Sequence, residues 1–332
     1  MKKIAILACA GLLCLCAAGC QPQDTPSAPA GPEEPFAGRV VGAGCYRLSY
    51  LEADGAGIVD AVLYNEEIVL ALLKKGDGVQ AAAFDLESGV QAAQITPDHF
   101  AAARIEPWSD GSFSLLDEEG GCLFFGTLFY RDPLRIPAAD PSLRRFVNKT
   151  TYYLLRGGIL YNGTAIVETE EEMYDLSDRY EDVRLLNATE EFARLTGTDK
   201  TDGRPAELLF AKAEGTLSVL TRPEQEQTFC GAYTVRRDGT DLWYALPGAA
   251  ERHCTLQSAD ETVLACTDAL VLTDRGVYRP ADGVFAAYGD PADPPVRGHI
   301  LPAGSQAVAV GRSVYLLDLT RLLPAEASAP AR

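Results

Sequence analysis

Histidine, methionine and tryptophan are scarce in this chain of 332 residues, which has three, two and two of them. The histidines are His99, His253 and His299, and no Gly-x-Ser-x-Gly elbow is present to seat a nucleophile for one of them to activate. Gly-rich phosphate loops and the dinucleotide fingerprint are absent too, so the sequence offers no site for a nucleotide cofactor. No Cys-x-x-Cys pair occurs after residue 20, which excludes the common zinc modules, and no metal or cofactor is expected. Basic side chains are also few: 29 Lys and Arg against 47 Asp and Glu, a net charge of −18. Nucleic-acid binding draws most of its strength from Lys and Arg on phosphate, so that class of partner is excluded. Strands do not alternate with amphipathic helices of about 10–15 residues, as a parallel α/β sheet requires.

Only one long apolar run is present. Met1-Lys2-Lys3 precedes Ile4 to Cys16, and Ala17-Ala18-Gly19-Cys20 follows. A charged start, a short apolar stretch and small residues before a cleavage point form a secretory signal. This segment resembles a bacterial lipoprotein signal, although Ala17 stands where Leu is usual. The resemblance implies cleavage before Cys20, lipid attachment at Cys20, and an extracytoplasmic place in the bacterial cell envelope. An ordinary signal cut near Ala18 is the alternative; an uncleaved anchor would need roughly 20 apolar residues. Without residues 1–19, which hold Lys2 and Lys3 and no acid, 27 basic residues face 47 acidic ones, a net charge of −20. Residues 20–37 then read as a lipidated cysteine and a Pro-rich linker, with Pro22, Pro26, Pro29, Pro32 and Pro35 favouring extended chain. A membrane is thus expected as a partner through the lipid alone.

The body, residues 38–323, reads as short strands separated by turn residues, followed by a disordered tail at 324–332. Ile58 to Tyr64 and Ile68 to Leu73 flank Asn65-Glu66-Glu67, and Val79 to Leu86 and Val90 to Ile95 flank Glu87-Ser88-Gly89. Phe113 to Leu116 and Cys122 to Leu128 repeat the arrangement. Val263 to Leu272 reads as one strand before the turn Asp274-Arg275-Gly276. A strand running into a polar turn recurs at Asp85, Asp117, Arg156, Thr196, Arg237, Asp274 and Asp318, at steps of 32 to 44 residues. A period near 40 with several strands per unit resembles a β-propeller. The predicted fold is therefore all-β, a β-propeller of about seven four-stranded blades with short helical insertions. Tandem β-sandwich or barrel domains are the alternative. In a propeller, the strand around Val40 to Tyr50 completes the last sheet near Ala307 to Leu319, which hides its edge.

Two helical insertions are predicted. Asp140-Pro141 caps one turn over Ser142 to Phe146. The capping box Thr169-Glu170-Glu171-Glu172 opens a helix over 170–183, with Met173, Leu176, Tyr180 and Val183 on one face. The acids of that segment read as its solvated surface. Asp199-Lys200-Thr201-Asp202-Gly203 lacks the ligand offsets of a calcium loop and reads as a turn.

Five cysteines lie in the body, Cys45, Cys122, Cys230, Cys254 and Cys266. Solitary cysteines in apolar strands are commonly buried hydrophobes, and Cys254 with Cys266 is the pair best spaced to bridge across a hairpin. His253 reads as a surface side chain and His299 as a loop residue. Trp108, Trp243 and Tyr244 lie near turns and are the candidate aromatics for a ligand face; Tyr152 and Tyr153 are further aromatics. No catalytic residue is assigned. The expected function is a membrane-tethered, non-enzymatic binding or scaffold protein for a protein or glycan ligand. The alternative is a carbohydrate-active enzyme (glycosidase or lyase), which would need two facing carboxylates that 47 acids leave unranked.

Overall fold

The computed structural model describes residues 34–95, 101–108, 111–118, 122–128, 134–135, 143–146, 151–164, 169–189, 191–220, 227–289 and 292–324. The signal segment, the start of the linker, His99 and the Asp140-Pro141 cap fall outside them. Residues from Phe36 onward form one compact unit. Seven antiparallel sheets follow one another along the chain, six of four strands and a last one of five. The protein is a seven-bladed β-propeller.

The first strands of blades 1 to 7 are Gly57–Leu63, Arg104–Pro107, Leu143–Phe146, Tyr180–Ala188, Gln227–Cys230, Val263–Cys266 and Arg297–Ile300. They approach their counterparts in neighbouring blades and ring a central channel. Blade 7 continues with Gln306–Val310 and Val314–Asp318, then takes Cys45–Arg47 and Arg39–Gly42 from the other end of the chain. Tyr46 lies opposite Leu316 and Cys45 opposite Leu317, so the ring closes where the sequence placed the closure. The segment after it, Ser49–Gly55, is a 3-10 turn.

Burial on both faces explains the continuous apolar strands. In Ile68–Lys75, the second strand of blade 1, Val69, Ala71 and Leu73 enter the seam with blade 7 while Leu70 and Leu72 enter the seam with blade 2. Successive side chains point to opposite faces of a strand, and here each face meets another sheet. Blade 7 repeats this: Val308 and Leu316 pack towards blade 1, Ala307 and Leu317 towards blade 6. Asx side chains set the hairpins. Asn65 Oδ1 accepts from the N–H groups of Glu67 and Ile68, and Asp85 Oδ1 accepts from the N–H and Oγ of Ser88.

The structure corrects three expectations. The predicted helix over 170–183 is absent: Thr169–Asp175 is the outermost strand of blade 3 and Tyr180–Ala188 the first of blade 4. Leu176 and Tyr180 are buried between those blades, and cross-strand pairing such as Met173 with Tyr161 overrides the local capping box. Leu143–Phe146 is likewise strand, so the short helical insertion predicted there gives way to pairing with Thr151–Arg156. Val263 to Leu272 is two strands, folded back at Thr267, whose Oγ1 accepts from the N–H groups of Ala269 and Leu270. Among the described residues the one α-helix is the single turn Leu319–Leu322, capped by Asp318.

Candidate functional site

The channel holds a cavity of about 490 Å³ lined by the first strands of blades 1, 2, 4, 6 and 7, by Arg194 of the second strand of blade 4, Phe192–Asp199, and by Gly231. Five of the lining side chains are charged: Asp60, Arg104, Glu106, Arg194 and Arg297. They come from strands whose other face is apolar. Ile105, between Arg104 and Glu106, packs into the seam between blades 1 and 2, and Val62, two residues from Asp60, packs there too. Alternation along the blade 2 strand therefore leaves Arg104 and Glu106 on the face opposite Ile105, while Asp60 shares its face with Val62 and lies at the channel end of that seam.

Asp60 organises this wall. It sits at a bulge of the blade 1 strand and is 3% exposed. Its Oδ1 accepts from the N–H of Ala61 at 3.0 Å and its Oδ2 from the N–H of Ile105 in blade 2 at 2.8 Å. Arg297 Nη1, from blade 7, lies 3.9 Å from Asp60 Oδ2 and donates to the carbonyls of Val59 at 3.3 Å and Ala103 at 2.6 Å. Three blades are thus tied together at the channel. Burial pushes the Asp60 carboxyl up to about 6, against the two N–H bonds and the nearby arginines that pull it down.

His299 lines the same cavity, on the blade 7 strand rather than in the loop the sequence suggested. Its Nδ1 is shielded from solvent without a hydrogen-bond partner, and burial lowers its pKa to about 4, so the ring is neutral at pH 7. Burial lowers Arg194 to about 10, with Glu207 opposing from 3.9 Å, and Arg194 stays charged. The wall thus presents three guanidinium groups against two carboxyls in a chain of net charge −18.

The three candidate aromatics do not meet at one place. Trp108 follows the blade 2 first strand, but its Nε1 donates to Ser114 Oγ at 3.0 Å and its ring packs into the seams of blades 2 to 4. Tyr244 is buried in the core between blades 5 and 6. Trp243 is partly exposed on the third strand of blade 5, with the Arg236 guanidinium 4.1 Å from its ring centroid and the His253 ring 5.3 Å away. His253 Nε2 in turn lies 2.8 Å from Asp241 Oδ1. Among the described residues no Phe, Tyr or Trp lines this cavity. Both Asp60 and Glu106 do, but the Asp60 oxygens are already taken by backbone N–H groups, which is poor preparation for acid–base work. Among the described residues no group of three or more His, Cys, Asp or Glu is placed to hold a metal ion.

The propeller fold is shared with solved structures. YCF48 bound to D1 peptide superposes with a TM-score of 0.52 at 11% identity, over 91% of this chain and 99% of that one. The extracellular domain of a putative one component system from B. thetaiotaomicron gives a TM-score of 0.50 at 7% identity, over 86% of this chain and 43% of that one. A putative hybrid two component system from the same source gives 0.50 at 6%, over 83% and 42%. This chain therefore spans less than half the length of those two sensor domains. At such identities the likeness is one of fold. No family model matches the chain, and no curated protein does. No helix among the described residues is long and apolar enough to cross a membrane.

The signal for the channel residues was present in the sequence but unreadable there. Asp60, Arg104 and Arg297 each interrupt or flank an apolar strand, as do many acids and arginines that face solvent.

Proposed function

We propose that this chain is a membrane-tethered extracytoplasmic binding or scaffold protein, not an enzyme, whose ligand docks at the channel face of the propeller. The supporting observation is the channel wall itself, where Arg104, Arg194 and Arg297 gather inside an acidic molecule. Such a wall suits an acidic or carboxylate-bearing segment of a protein, since guanidinium groups recognise carboxylates through paired hydrogen bonds. YCF48, on the same fold, is bound to a peptide, which favours a protein ligand over a glycan. The extracellular domain of the putative one component system from B. thetaiotaomicron agrees with an extracytoplasmic address.

A peptide array probed with the purified protein tests the binding. Acidic peptides should be retained, and Arg104→Glu together with Arg194→Glu should weaken them at least tenfold. Retention that ignores both substitutions removes the channel from the proposal. Hydrolysis of a glycan panel that disappears in Glu106→Gln would replace it with the enzyme. The tether is tested separately by membrane fractionation with intact-mass analysis of Cys20→Ser, which should release the protein from the membrane fraction.

A further inference from the structure

Cys230 and Cys266 are the final residues of the first strands of blades 5 and 6. Those two strands lie side by side at the channel. The two side chains meet in the apolar cluster that fills the seam, together with Val235, Tyr244 and Cys254. Cys230, with burial, raises the Cys266 thiol above its ordinary range, as a close neighbour does. The sequence read the cysteines first as solitary buried hydrophobes, with Cys254 and Cys266 the pair best spaced to bridge. Cys254, however, lies in Arg252–Thr255, the outermost strand of blade 5, whereas Cys230 and Cys266 end neighbouring inner strands. All three are free thiols here.

We propose that Cys230 and Cys266 form a reversible disulfide that staples blade 5 to blade 6 beside the channel. Thiols at the ends of neighbouring strands, packed in one cluster, need side-chain rotation and a small backbone adjustment to form an S–S bond of about 2.05 Å. The oxidant is a disulfide-bearing compound or protein of an oxidising compartment. One cysteine thiolate attacks it, which forms a mixed disulfide and releases one thiol. The second cysteine thiolate then attacks the protein sulfur of the mixed disulfide and displaces the other thiol. Two S–H bonds are lost and one S–S bond forms in the protein, while the oxidant takes up two electrons and both protons. Neighbouring Cys230, with burial, holds the Cys266 thiol well above the usual thiol range. Formation is therefore slow at neutral pH and accelerates as pH rises.

The consequence is local to the ring. First strands of neighbouring blades make no backbone ladder with each other, so the seam between blades 5 and 6 is held by side-chain packing. A covalent link there fixes one side of the channel wall, next to the lining residues Gly231, Val263 and Leu264. The pairing is independent of the binding proposal; only its formation in the cell rests on the extracytoplasmic address.

The test uses the purified protein, incubated with excess oxidised glutathione at mildly alkaline pH, alkylated, and digested without reduction. The expected result is a cross-linked peptide joining Cys230 to Cys266, lighter by two hydrogens and separated by dithiothreitol. Full alkylation of both cysteines, glutathione adducts without the link, or a link from either cysteine to Cys254 each overturn the proposal. Oxidation should also raise the melting temperature by about 5 °C, because the bridge closes a long loop in the unfolded chain. That rise should vanish in Cys230→Ala and in Cys266→Ala and persist in Cys254→Ala; a rise that survives either of the first two overturns the staple. If an alanine variant fails to fold, the peptide result on the unsubstituted protein decides alone.

Discussion

Asp60 and His299 share one cavity and respond to acid in opposite directions. Asp60 has a folded pKa of about 6 against an ordinary 3.8, so the folded state holds this proton more tightly than the unfolded chain. The stability from that proton is complete below about pH 4 and is lost as pH rises through about 6, a span on the order of 3 kcal/mol. His299 has its pKa lowered from 6.5 to about 4, so its contribution is present above pH 6.5 and is lost as pH falls towards 4. The two slopes oppose each other between these limits. Asp60→Asn keeps one oxygen acceptor for the N–H of Ala61 or of Ile105, turns an NH2 towards the other at a cost that does not vary with pH, and cannot titrate. Urea unfolding at stepped pH should then show a steeper loss of stability below pH 6 than in the parent protein. His299→Gln should do the reverse and leave the protein more resistant to acid over the same range. Neither position was legible in the sequence, because a pKa shift follows from burial and burial follows from neighbours distant along the chain.

At the scale of single elements, Gly276 separates two explanations of one residue type. The turn Asp274-Arg275-Gly276 reads as a hairpin in which glycine serves the bend. The structure places Gly276 at the start of the strand Gly276–Arg279, with no positive φ. A Cβ there would lie 2.1 Å from Phe285 Cε2 and 2.7 Å from the Ala286 carbonyl. The ring can turn aside but the paired backbone cannot, so Gly276→Ala should cost about 2 kcal/mol, measured as a lower urea midpoint with an unchanged slope. The acidic segment at 169–183 teaches the complementary lesson. Its capping box and spacing were sound local signals, yet Glu172 lies opposite Asn162 and Met173 opposite Tyr161 on an outer strand. A sheet edge waiting in space offers a full ladder of backbone partners, and no residue within the segment announces it.

The repeat was legible in period but not in phase. Asp117, Arg156, Thr196, Arg237 and Asp274 fall within or at the end of the second strands of blades 2 to 6. Asp85 and Asp318 instead end third strands, in blades 1 and 7. That slip produced the short first step and the long last one, because in a blade of similar hairpins each turn imitates the next. Closure was legible for a better reason: an unpaired apolar strand at each end of a repeat array demands a partner. Removing residues 1–48 takes away the fully buried Tyr46 and Leu48 and exposes the Val314–Asp318 edge. Each of those side chains contributes about 2 kcal/mol on burial, and the bare edge invites pairing between molecules. The truncated protein should lose its single calorimetric transition and elute as aggregates in size-exclusion chromatography.

The sequence by itself determined what depends on neighbours along the chain: the strands with their Asx turns, the all-β class, the period near 40 and the demand for closure. Its first twenty residues also carry the expectation of an address and an anchor at Cys20. Only the tertiary structure decided which residues share a wall. Val59 and Arg297 are 238 positions apart and meet through a hydrogen bond. Cys230 and Cys266 share one packed cluster between blades 5 and 6 although 35 residues of chain lie between them. The physical reason is the same in each case. A strand presents two faces by alternation, but whether a face meets core, solvent or channel is set by the sheets that close around it.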